Sequence, residues 1–176
     1  MKIFLHMCCA PCSIYPYYRL REEGMTPTGY FYNPNIHPYT EFRKRLEAVR
    51  DFSSRSGFEV LVRDGYDLEE FLAATAGRGP NRCEQCYRMR LNAAAATARE
   101  KGFPLFTTSL LYSKYQKHDT IRGVAREAAE GNGLEFYYED FRQGWREGIV
   151  ESKAMGLYRQ QYCGCIFSER DRYRKG

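Results

Sequence analysis

No apolar run in this chain of 176 residues approaches the ~20 residues that a membrane-spanning helix requires. The opening stretch Met1-Lys2-Ile3-Phe4-Leu5-His6 is too short, and too soon interrupted, to be a secretory signal. Internal repeats, low-complexity tracts and linker-like segments are also missing, so the chain reads as one catalytic domain over 1–176. A domain of this size buries roughly 70% of the surface that its unfolded chain exposes, so it needs no disulfide staples. Histidine is scarce, with only His6, His37 and His118. Cysteine is plentiful: there are seven, an odd number that a pure disulfide framework would not leave. A soluble, cytoplasmic protein is the expectation. There thiols stay reduced, and cysteine groups read as metal-binding or catalytic.

The net charge of +5 says little by itself, and a solvated surface is its plainest meaning. Its distribution says more. Basic residues gather in three stretches: Arg43, Lys44, Arg45 and Arg50; Arg78, Arg82, Arg88 and Arg90; and Arg170, Arg172, Arg174 and Lys175. Aromatic residues are interleaved throughout, tyrosine alone occurring 15 times. Cationic side chains neutralise phosphates and aromatic faces stack on splayed bases, so the composition suits RNA loops.

Apolar periodicity and turn signals predict alternating strands and helices. Strands are expected at about 2–7, 29–32, 59–62, 105–108 and 134–137. Helices are expected from the first cysteines to Glu23, over about 38–55, from a cap at Asp67 to Ala73, and over 82–101 and 119–130. The C-terminal quarter is expected to be helical, over 146–155 and again after Cys165. This alternation argues for an α/β fold, a parallel sheet with helices on both faces. Ligands in such sheets bind beyond the carboxyl ends of the strands, where the first cysteines fall.

The cysteines form three groups: Cys8, Cys9 and Cys12; Cys83 and Cys86; Cys163 and Cys165. The first stands at a helix N-terminus, which favours thiolate. Cys83 and Cys86 project from one side of the expected helix and can share a metal centre. Buried free cysteines also serve as small hydrophobes, but seven in close groups fit that poorly. Three chemistries compete on spacing. Cys9/Cys12 with Cys83/Cys86 makes two C-x-x-C pairs for zinc, though their separation exceeds that of zinc ribbons. Cys9-Ala10-Pro11-Cys12 between strand and helix suits thiol–disulfide exchange, which leaves the other cysteines idle. An iron–sulfur cluster needs four thiolates, accepts them from distant loops, and leaves the third group free. The C-x-C pair Cys163 and Cys165 would close a small, easily reduced ring, suited to storing two electrons, with metal ligation as the alternative.

Six stretches in order resemble the cobalamin-independent epoxyqueuosine reductase family. They are His6-Met7-Cys8-Cys9-Ala10-Pro11-Cys12-Ser13; Tyr32-Asn33-Pro34-Asn35-Ile36-His37-Pro38; Arg82-Cys83-Glu84-Gln85-Cys86-Tyr87-Arg88-Met89-Arg90-Leu91; Thr107-Thr108-Ser109-Leu110-Leu111; Tyr115-Gln116-Lys117-His118; and Gln161-Tyr162-Cys163-Gly164-Cys165. The resemblance implies reduction of the epoxide of epoxyqueuosine, in the anticodon loop of tRNA, to the alkene of queuosine. It implies a [4Fe-4S] cluster on Cys8, Cys9, Cys83 and Cys86, a redox-active pair in Cys163 and Cys165, and an electron donor that the sequence does not identify. It also implies a three-layer sandwich like the adenine-nucleotide α-hydrolase-like domains. The Cys8–Cys12 segment stands where nucleotide-dependent members carry a Ser-Gly-Gly-x-Asp-Ser loop, so ATP is not expected, and resemblance to a cobalamin-independent family implies no cobalamin. Cys12 is left over, as a ligand for a further iron, a proton donor or a packing residue. Among the histidines, His118, between Lys117 and Asp119, is the favoured proton donor to the epoxide oxygen. Asn33, Asn35 and His37 follow the second strand near the ligand-binding edge, with turn formation as their simplest role.

Overall fold

A computed structural model describes residues 1–174; Lys175, counted above in the third basic stretch, lies outside the described residues. The core is one parallel sheet of five strands: β1 (Lys2–His6), β2 (Thr26–Phe31), β3 (Val60–Val62), β4 (Leu105–Thr108) and β5 (Glu135–Phe136), in the order β3-β2-β1-β4-β5. β1 is central and apolar on both sides, with Ile3, Phe4 and Leu5 fully buried, as a strand covered on both faces must be. Seven helices surround the sheet: α1 (Ala10–Glu22), α2 (Tyr39–Ser56), α3 (Leu68–Thr75), α4 (Arg82–Glu100), α5 (His118–Asn132), α6 (Trp145–Ala154) and α7 (Ile166–Tyr173). Short 3-10 turns cover Gly79–Asn81, Ser109–Tyr112 and Phe141–Gly144.

The chain runs outward from β1 through β2 to β3, then returns to lay β4 against the other side of β1. Right-handed crossovers therefore put α1 and α2 on one face and α4 and α5 on the other. The contacts agree: α1 packs on α2 and α6, and α4 packs on α5, β1 and β4. This is the three-layer α/β sandwich with a helical C-terminal part that the sequence predicts. No helix among the described residues is long and apolar enough to cross a membrane.

Two details depart from the sequence reading. β2 begins at Thr26 and includes Pro27, where the pattern suggested a start at Gly29. β3 pairs only from Gly29 onward, so the N–H that Pro27 lacks has no ladder to serve on that side. Asp67 does precede α3, but its side chain makes no capping bond and instead lies 3.7 Å from the Arg63 guanidinium. Gly29 itself has a packing reason: a Cβ there would collide with the Met7 thioether and come within 2.9 Å of the Phe58 ring. Met7 can therefore fold under the strand ends and launch the cysteine loop.

Candidate active site

The connections leaving β1 and β4 run in opposite directions, which opens a crevice at their carboxyl ends. Cys8 stands in it. Its N–H donates to the Ser109 hydroxyl (2.9 Å), and that hydroxyl donates back to Cys8 Sγ (3.3 Å), tying the end of β1 to the end of β4. One residue on, Cys9 caps α1, its Sγ accepting the Cys12 N–H (3.3 Å). One turn of helix then returns Cys12 to the same place. The three sulfurs lie within 4.8 Å of one another, and the Gln160 amide donates to Cys9 Sγ (2.9 Å) and Cys12 Sγ (3.4 Å). Cys9 and Cys12 are buried. Hydrogen bonds from the Cys12 and Cys9 thiols hold Cys8 well below its ordinary pKa, with Arg90 and Ser109 assisting. Burial pushes Cys9 up, and the bonds to Cys8 and Cys9 push Cys12 up. Of the three thiols, Cys8 is therefore the one whose surroundings favour the thiolate.

Arg90 links this group to the second. It extends from α4 and is 3% exposed, with Nη1 3.9 Å from Cys86 Sγ and Nη2 donating to Asn33 Oδ1 (2.6 Å). Asn33 in turn donates to the Met7 carbonyl (2.8 Å). The guanidinium has no carboxylate within ion-pair distance and its Nε lacks a partner, among the described residues. Burial alone would lower its pKa; the thiols of Cys86, Cys8 and Cys163 outweigh that and raise it. Cys86 is pushed up to about 11, chiefly by burial. Cys83 and Cys86 occupy the first turns of α4, half-buried, and do not join the group formed by Cys8, Cys9 and Cys12.

The third group is carried on a loop clamped by Arg45. Its Nη1 and Nη2 donate to the carbonyls of Cys163 (3.0 Å) and Tyr162 (2.9 Å). Nε donates to Glu41 (2.7 Å), whose other oxygen accepts from the Tyr158 hydroxyl (2.5 Å). The His37 N–H donates to the Gly164 carbonyl (2.8 Å), and the Tyr162 hydroxyl donates to the His37 carbonyl. Cys163 and Cys165 face each other, Sγ to Sγ 3.9 Å. The hydrogen bond between the two sulfurs, with Ser168, brings Cys163 down to about 5, while Cys165 is pushed far up. One thiol is therefore a ready nucleophile and its neighbour keeps the proton.

A cavity of about 580 Å³ joins the first group to the third: Cys8, Cys12 and Cys163 share its wall with Arg45, Arg90 and Arg159. His118 does not line it. That ring begins α5 and bonds to the Tyr138 hydroxyl (3.2 Å), and burial lowers its pKa. Asn33, Asn35 and His37 are buried and brace the loop after β2. Two arginines read above as RNA-facing need correcting. Arg45 (2% exposed) and Arg90 are interior residues, held by partners that the local sequence cannot display. Gln160 and Arg159 were also missed, hinted at only by their proximity to the C-x-C pair, and Ser109 stood in a resembling stretch but was given no role. The three convergent thiols fit a thiophilic metal. Sulfur is the right donor, the surroundings of Cys8 favour its thiolate, and Arg90 supplies compensating positive charge.

The profile of the family described as "Epoxyqueuosine reductase QueH" matches residues 3–171. The chain is 39% identical over 174 residues to an epoxyqueuosine reductase QueH of Dehalococcoides mccartyi, covering 99% of this chain and 96% of that one. It is 35% identical over 184 residues to the same enzyme of Thermotoga maritima, covering 98% and 93%. The fold resembles the U34-tRNA thiolase NcsA of Methanococcus maripaludis, solved with its [4Fe-4S] cluster (TM-score 0.57, 17% identity, 96% of this chain and 61% of that one). It also resembles a protein described as a predicted subunit of tRNA methyltransferase from Methanocaldococcus jannaschii (TM-score 0.55, 11% identity, 87% and 74%). With its cysteines gathered at the switch point of such a sandwich, the chain belongs to the epoxyqueuosine reductase QueH family.

Proposed function

We propose that this chain is an oxidoreductase that converts epoxyqueuosine in the anticodon loop of tRNA to queuosine, the last step of queuosine biosynthesis. The observation that carries the reading is the single cavity whose wall holds Cys8, Cys12 and Cys163. We assign Cys8, Cys9, Cys83 and Cys86 as ligands of a [4Fe-4S] cluster, with Cys12, beside Cys8 and Cys9, available to a further iron. When bound, such a cluster supplies single electrons and Lewis-acid polarisation of a C–O bond.

The electrons balance on this chain's own thiols, and solvent completes the protons. Both C–O bonds of the epoxide break, the carbon–carbon double bond forms, and the oxygen leaves as water, which takes two electrons and two protons. Cys163 and Cys165 give up two electrons as their sulfurs join; the Cys165 thiol supplies one proton and solvent supplies the other, because Cys163 is lowered toward the thiolate. An external donor, yet to be identified, then reopens the disulfide. Cys165, still protonated at neutral pH, holds one of the protons at its Sγ. Arg90 and Arg45 fix positive charge beside the thiolates, and no step calls for ATP or cobalamin. Thiol–disulfide exchange without metal, or zinc-based RNA binding without turnover, has no specific feature of the site in its favour.

The test is anaerobic turnover of tRNA carrying epoxyqueuosine, read by nucleoside mass spectrometry beside iron content. Cys83→Ala should lose both iron and activity. Cys163→Ser/Cys165→Ser should keep iron near normal and lose activity. Full iron and activity in Cys83→Ala, or iron loss in the double variant at unchanged folding, would redraw the ligand set. A colourless, metal-free protein with full activity would overturn the cluster assignment, and an iron-loaded protein without turnover would overturn the reductase reading.

A further inference from the structure

We propose that Tyr115 and Trp145 form a stacking platform at the mouth of the cavity for an unpaired base of single-stranded RNA, next to the nucleotide taken inside. The proposal rests on the reading of this chain as a tRNA-modifying reductase. Tyr115 is 87% exposed, yet it lines the cavity and does not project from a remote surface. Its ring meets Trp145 edge to face, centroids 5.6 Å apart at 76°. Trp145 is braced from beneath by buried Tyr112 (5.2 Å, 33°), whose hydroxyl donates to the Trp145 carbonyl (3.0 Å). Gly148 makes that brace possible, because a Cβ there would clash with the Tyr112 hydroxyl and ring. An exposed aromatic edge on a rigid aromatic floor is suited to bases, since every base presents a π-face.

The surrounding charge points to the same occupant. Lys114 Nζ lies 5.9 Å from the Trp145 centroid, and Arg159 and Arg172 line the cavity beside it. These three cations have no carboxylate within 4.0 Å among the described residues, unlike Arg43, Arg82, Arg88 and Arg170, which do. Three cations without an acidic partner thus stand beside these aromatic rings, the combination that holds a phosphate backbone while its bases stack. The platform receives the flanking base, and the cavity receives the reacting nucleoside.

Trp145 is the only tryptophan in the chain, so its emission reports on this place alone. The probe is an unmodified anticodon stem-loop RNA carrying a terminal dye, titrated into the metal-loaded protein. Anisotropy reads total binding and Trp145 emission reads the platform. Emission should quench in step with anisotropy, and a blunt duplex of the same stem should leave it unchanged. Tyr115→Ala should weaken stem-loop binding by about tenfold at unchanged iron content, and Tyr115→Phe should restore it. Binding by anisotropy with unaltered emission and an indifferent Tyr115→Ala would overturn the platform and leave the tRNA reading standing. Absence of binding by either signal would sink both. Self-association abolished by Tyr115→Ala would instead make this face a contact between two copies of the chain and overturn the proposal.

Discussion

Gly164 stands between the two thiols of the third group at a φ of 130°, a conformation that L side chains rarely adopt. A Cβ there would also lie 3.0 Å from both Arg45 Nη1 and Asn35 Nδ2. Gly164→Ala should therefore strain the loop by about 1–3 kcal/mol. The expected result is faster alkylation of Cys165 and at least a tenfold loss of turnover, with iron content unchanged. Arg90 invites a second change. Arg90→Met keeps much of the volume, but leaves the buried Asn33 oxygen unpaired and removes the cation beside Cys8 and Cys86. Iron per chain should fall, and urea denaturation should show a loss of about 1–3 kcal/mol, the cost of an unsatisfied buried acceptor. Arg90→Lys keeps the charge and loses the fork, so it should recover iron only partly. At this scale the sequence was half legible. Cysteine chemistry shows in spacing, whereas the difference between Arg45 or Arg90 and a surface arginine lies in partners more than fifty positions away.

Among the elements, long helices and apolar strands were legible because each carries its own period, and α2, α4 and α5 start and end within two residues of expectation. The 3-10 turns at Ser109–Tyr112 and Phe141–Gly144 were not: each is short, and its shape is set by what it packs on. The loop after β2 depends in the same way on the C-terminal segment. His37 Nε2 donates to the Pro34 carbonyl (2.9 Å), and Nδ1 accepts the Ile166 N–H (3.4 Å) at the start of α7. Tyr66 and Phe71 cover the ring. Burial lowers its pKa below the ordinary 6.5, the Pro34 bond only partly opposing. The unfolded chain therefore takes up a proton that the folded chain refuses. This contribution is present in full above about pH 6.5 and is lost as pH falls toward the folded pKa. Urea midpoints should accordingly drop between pH 7.5 and 5.5, and the drop should shrink in His37→Gln, whose amide does not titrate. Limited proteolysis after Tyr162 should accelerate over the same range if α7 loosens when His37 is charged. An identical pH response in both proteins would place the sensitivity elsewhere.

For the molecule as a whole, the alternation of strand and helix gave the class of fold, but not the return of β4 to the far side of β1. That return builds the crevice, since it carries Ser109 to Cys8 and opens space for the C-terminal loop. Charge behaves likewise. A net +5 with three basic stretches suggests a broad RNA-binding surface. In the folded chain much of it is neutralised locally: Arg43 and Arg50 meet Asp64, Arg82 and Arg170 meet Asp171, and Arg88 meets Glu84 and Glu127. Arg45 and Arg90 are interior. Besides buried Arg90, the cations near the cavity without acidic partners among the described residues are Lys114, Arg159 and Arg172. Single-stranded contacts release counterions with a slope of about −0.7 per phosphate, so three contacts predict a log–log slope of affinity against salt of about −2. Engagement of all three basic stretches would give a markedly steeper dependence, roughly −5 or beyond. Measuring stem-loop affinity across a range of potassium chloride separates the two. Arg159→Gln and Arg172→Gln should each flatten the slope by about 0.7, whereas Arg50→Gln, whose charge Asp64 already meets, should leave it where it was. A slope insensitive to Arg159 and Arg172 would move the RNA off the cavity rim and onto another face.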